Sequence, residues 1–96
     1  MNLYEFKLET GNPDLRVSFA RTVNAFVRNE TLTDPANWRD LDETGVETAL
    51  NMQFLLEPEL IGALKDRVAE KHDDLAITSE KSGRSGQPNV TVYQPK

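Results

Sequence analysis

The segment NLYEFKLET sets Tyr4, Phe6 and Leu8 on one side of an extended chain and Glu5, Lys7 and Glu9 on the other. Side chains alternate across a strand, so this period of two buries one face and leaves the other to water. A sheet that begins this way needs a covering layer on one side only, and that layer has to come from the rest of the chain.

The next stretch supplies a helix. In TGNPDLRVSFARTVNAFVRN, Asn12 is placed to cap free backbone amides, Pro13 suits the first helical position, and Asp14 complements the positive helix end. Leu15, Phe19, Val23, Phe26 and Val27 then recur at helical spacing. Leu15, Val17 and Phe19 also fit a second strand in a hairpin, so residues 15–22 carry two readings, of which the helix is preferred. Asp34-Pro35 repeats the pattern of cap followed by proline and is expected to open a short helical turn carrying Trp38 and Leu41, closed by Gly45.

Over 48–56, Leu50, Met52, Phe54 and Leu56 alternate with Asn51, Gln53 and Leu55. A strand fits better than a helix, because on a helix these apolar residues would wrap right round the cylinder. Pro58 opens a second main helix with Leu60, Ile61, Leu64 and Val68 on one face, ending near His72, where a cation would favour the helix dipole. LAITSEK and NVTVYQ form two closing strands, joined by a flexible Ser/Gly-rich hairpin loop over 81–88. The expected fold is α+β, a two-layer sandwich in which two main helices pack on one face of a small mixed or antiparallel sheet, in the order β-α-β-α-β-β. Residues 1–96 are expected to form a single domain.

Composition narrows the chemistry. There is no cysteine, which excludes disulfides, thiolate metal sites and cysteine nucleophiles. With 38% apolar and 28% charged residues the chain has the makeup of a globular protein rather than a disordered tail. A net charge of −5 works against nucleic acid and anionic membrane surfaces, while remaining compatible with a basic protein partner. The N-terminus has neither a basic segment nor an apolar core of the secretory kind, so a cytoplasmic location is expected.

Three motifs are candidates for chemistry. EKSGRSGQPNV brings Lys81 and Arg84 together with two glycines, but a second β run comes after it where a phosphate-binding loop needs a helix N-terminus. It therefore reads as a turn. In DLDETG, Asp40, Asp42, Thr44 and Gly45 match the first, third, fifth and sixth positions of a calcium loop, yet Asn51 occupies the twelfth, where a bidentate glutamate belongs. The same Asp-x-Asp-x-Thr spacing is similar to the nucleophile motif of the haloacid dehalogenase superfamily. That motif follows a buried apolar strand in a much larger domain, whereas ANWR precedes it here. His72 with Asp73 and Asp74 lacks a further ligand for a metal.

With no catalytic constellation and no cofactor fingerprint, the expected function is a non-enzymatic, cytoplasmic, protein-binding module: a regulator, inhibitor, accessory subunit or immunity-type factor. Trp38, Arg84, Val90, Val92 and Tyr93 are its candidate partner-binding residues. Tryptophan is enriched at binding hot spots, and a terminal strand at a sheet edge would offer its backbone to a second chain, a homodimer included. The alternative is a metal- or small-ligand-binding module built on the acidic 40–47 loop, with Asp40, Asp42 and Thr44 as ligands. A third reading is an enzyme whose site forms between subunits.

Overall fold

The computed structural model describes the backbone of residues 1–43 and 47–96, and the side chains of these outside 36–48. The element order is β1 (Asn2–Glu9), α1 (Pro13–Thr31), β2 (Ala36–Glu43), β3 (Glu47–Leu56), α2 (Pro58–Lys71), β4 (Leu75–Lys81) and β5 (Asn89–Pro95). Among the described residues the five strands form one mixed sheet, ordered β2-β3-β1-β5-β4. β1 runs antiparallel to β3 and parallel to β5. The architecture is α+β, with both helices on one face of the sheet.

Local chemistry sets the ends of α1. Asn12 Oδ1 accepts the amides of Asp14 and Leu15 at 3.0 and 3.3 Å, and Pro13 occupies the first turn, where its missing N–H costs nothing. α2 also begins on proline, but its N-cap, Glu57, makes no side-chain cap. The helices bury Phe19, Val23, Val27, Leu64 and Val68 against Tyr4, Phe6 and Leu8 of β1 and Leu50, Met52, Phe54 and Leu56 of β3. Phe6 is the centre of this core, with ring centroids of Phe54 at 5.3 Å, Tyr93 at 5.4 Å and Phe19 at 6.5 Å. Such offset and edge-on contacts add to the burial of the rings themselves.

Three expectations are corrected. The segment after Asp34-Pro35 is a strand, not a helical turn: Ala36–Glu43 pairs antiparallel with β3, and Asp34 lies 3.9 Å from Arg28 in an exposed ion pair. Pairing with the free edge of β3 outweighs the local capping pattern. The C-terminal strand is not a sheet edge. β5 lies between β1 and β4, so the edges are β2 and β4. His72 does close α2, its N–H donating to the Val68 carbonyl at 2.8 Å, but its side chain is a buried ring, 4% exposed, with its centroid 5.9 Å from that of Phe19, and not a cation set on the helix dipole.

The connection between β4 and β5 is held at several points. Gly83 N–H donates to Asn89 Oδ1 at 3.0 Å, Asn89 Nδ2 donates to the Leu3 carbonyl at 3.2 Å, and Gln87 N–H donates to the Arg84 carbonyl at 2.8 Å. Glycine is required twice here. A Cβ at Gly83 would collide with the carbonyls of Gln87 and Pro88, and Gly86 has φ of +80°.

Candidate functional site

The exposed flank of α1 and the connection after it form a concave surface. A groove of about 460 Å³ is lined by Val17, Ala20, Arg21, Asn24, Asp34 and Pro35. Its floor is apolar, and it carries one cation and one carboxylate. Asn24 Oδ1 is shielded from solvent and has no hydrogen-bond partner among the described residues. Val17, 42% exposed, stands between this groove and a neighbouring hollow along the same helix.

Leu32 comes immediately after α1. Its N–H closes the helix on the Arg28 carbonyl at 2.7 Å, with φ of 61° in the left-handed region, and its side chain is 88% exposed. Leucine is penalised twice at such a position, since a left-handed backbone costs about 1–2 kcal/mol for a residue with a Cβ and the isobutyl group stays in water. Glycine would carry neither cost.

The residues expected to bind a partner are not brought together. Val90 and Val92 are half-buried on the sheet face away from the helices, in register with Glu5 and Lys7. Arg84 is exposed in the β4–β5 connection. Tyr93 points the other way, into the core at 3% exposure, so its place among partner-facing residues is corrected. Its hydroxyl has no hydrogen-bond partner among the described residues, and burial, aided by Glu80, raises its pKa well above the ordinary tyrosine value. Trp38 lies in β2, and its side chain falls outside the described residues.

The acidic motif has lost its loop. Asp40 and Asp42 belong to β2, where the backbone pairs with Leu50 and Thr48 of β3, whereas a calcium loop must curl those positions around one point. Thr44 lies outside the described residues. No cluster of three or more metal-ligating side chains occurs among the described residues.

The Thr22 hydroxyl lies 3.1 Å from the Ser18 carbonyl and 2.8 Å from His72 Nε2. Given to the carbonyl, its single proton leaves the oxygen to accept from an Nε2–H imidazole; given to Nε2, it pairs with the other tautomer, and either arrangement ties α2 to α1. Burial lowers the pKa of His72, the nearby Lys71 works in the same sense, and Asp74 opposes them.

Compared with known protein families, curated proteins and solved structures, the chain matches none of them. No helix among the described residues is long and apolar enough to cross a membrane. Sequence reading missed Leu32 and Val17. Leu32 had a usable signal, an isolated leucine inside the polar run ETLTDP, but its left-handed backbone had none, because no glycine marks it.

Proposed function

We propose that this chain works without catalysis, by binding another protein at the groove beside α1, with Leu32 as the anchoring side chain. The observation that carries this reading is the exposed leucine in left-handed backbone, close in the chain to a largely apolar hollow that includes Arg21 and Asp34. A residue that costs stability where glycine would not is a candidate for selection by function. Binding hot spots are commonly apolar groups desolvated by a partner, ringed by charges that fix orientation, and Arg21 and Asp34 provide such charges. The chain's net charge of −5 favours a partner of basic character. The regulator, inhibitor, accessory-subunit and immunity-type roles all fall within this reading.

The test compares the native chain with Leu32→Gly, using affinity capture from the native host with mass spectrometry and a thermal melt of each protein. Leu32→Gly is expected to melt at the same temperature or higher and to lose the captured partner. A partner retained at native abundance by Leu32→Gly overturns the assignment of the anchor. Asp34→Lys, which removes the carboxylate of the groove, is expected to weaken capture of a basic partner with little effect on the melt, since its ion pair with Arg28 is exposed.

A further inference from the structure

We propose that the chain also pairs with a second copy of itself through the outer edge of β4, extending the sheet antiparallel across a two-fold axis. This surface is separate from the α1 groove, and the inference does not rest on the function proposed there. β4 is hydrogen-bonded to β5 on one side and is the last strand of the sheet on the other, so its outward amides and carbonyls have no partner strand among the described residues; of these the Leu75 N–H donates to the His72 carbonyl at 3.1 Å. Ile77, on the helix face of this strand and in register with buried Tyr93, is 40% exposed, where the core stops for want of a further strand.

Charge selects the second copy as occupant. Asp73 and Asp74 precede the strand and Lys81 ends it, so an antiparallel copy brings the acidic end of each strand to the basic end of the other. Asp74 and Lys81 make no side-chain hydrogen bond or ion pair among the described residues.

The irregularity in β4 then fixes the register. In a regular strand Asp74 and Lys81, an odd number of residues apart, would face opposite ways. The ladder with β5 shifts by one residue between Ile77 and Ser79, so Leu75, Ile77 and Glu80 share the helix face while Ala76, Ser79 and Lys81 share the open face. Residues directly opposite in an antiparallel pair must share a face. Setting Asp74 against Lys81 of the second copy satisfies that rule for Leu75 opposite Glu80 and Ala76 opposite Ser79, and sets Ile77 opposite Thr78, the extra residue of the irregularity. The two Ile77 side chains then flank the axis on the helix face of the sheet.

Light scattering across a dilution series from micromolar to near-millimolar tests the pairing on the full chain. The expected result is a dimer whose dissociation constant rises roughly tenfold in Lys81→Asp and in Asp74→Lys, and returns towards the native value in the double exchange. Because the chain has no cysteine, Ala76→Cys with Ser79→Cys should give a covalent dimer under mild oxidation. Asp74 is electrostatically coupled to His72, so Lys81→Asp and the cysteine pair decide the matter if Asp74→Lys fails to fold. A protein that stays monomeric at every concentration and forms no cross-link overturns the proposal. So does a dimer indifferent to Lys81→Asp, or one that Leu32→Gly dissolves, since that would place the contact at α1.

Discussion

His72 Nε2 lies 2.8 Å from the Thr22 hydroxyl, fastening the end of α2 to the middle of α1 through a ring that is almost wholly buried. The fold holds that ring neutral, with its pKa lowered from 6.5 chiefly by burial. The unfolded chain therefore takes up a proton below about pH 6.5 that the folded chain refuses. The full stabilisation is present above that value and is lost as pH falls through the lowered folded pKa. Urea midpoints are expected to fall between about pH 7 and pH 5, and His72→Gln should flatten that part of the profile. A profile unchanged by the substitution would remove His72 as its source.

Leu64→Ala should cost about 2–4 kcal/mol, because Leu64 is completely buried in the face of α2 that meets the sheet. Denaturant unfolding measures it directly. A loss below about 0.5 kcal/mol would mean that the helix does not pack as described.

Tyr93→Phe should stabilise the protein by about 1 kcal/mol, since it removes a buried hydroxyl that has no hydrogen-bond partner among the described residues while keeping the ring between Phe6 and Phe19. The same unfolding measurement decides it. A comparable loss would show that the hydroxyl has a partner in solution, such as a buried water.

Millimolar calcium should leave the melting temperature where it is, because the backbone at Asp40 and Asp42 is committed to the β2–β3 ladder. A calcium-dependent rise of several degrees, abolished by Asp42→Ala, would restore the acidic segment as a ligand site.

Sequence periodicity was enough to locate β1, β3 and both helices, because each signal is local: Tyr4, Phe6 and Leu8 alternate, and Asn12-Pro13 caps the first turn of α1. It failed where the deciding partner was remote. Asp34-Pro35 serves equally well before a helix or a strand, and only the unpaired edge of β3 decides between them. Along β5 the alternation separated Val90 and Val92 from Thr91 and Tyr93, but which pair faces inward depends on the parallel partner β1. The valines look more apolar, yet Thr91 and Tyr93 are the buried pair. Of the candidate site, the sequence made visible only the helix that carries Val17 and Arg21. The groove was not, because its far wall, Asp34 and Pro35, belongs to a segment expected to be helical.

The parallel pairing of β1 with β5 also sets an order of events during folding. Gln94 reaches Glu9 across 85 positions of sequence, and the ladder that closes the middle of the sheet joins residues similarly far apart along the chain. β1 can zip to β3 early, but its other edge stays open until β5 arrives, and loop closure over such a span is slow. During synthesis β1 therefore waits, with Phe6 only partly covered, through the making of nearly every other element. Substitutions that weaken β5 should consequently raise aggregation during expression more than they lower the equilibrium stability of protein that has already folded.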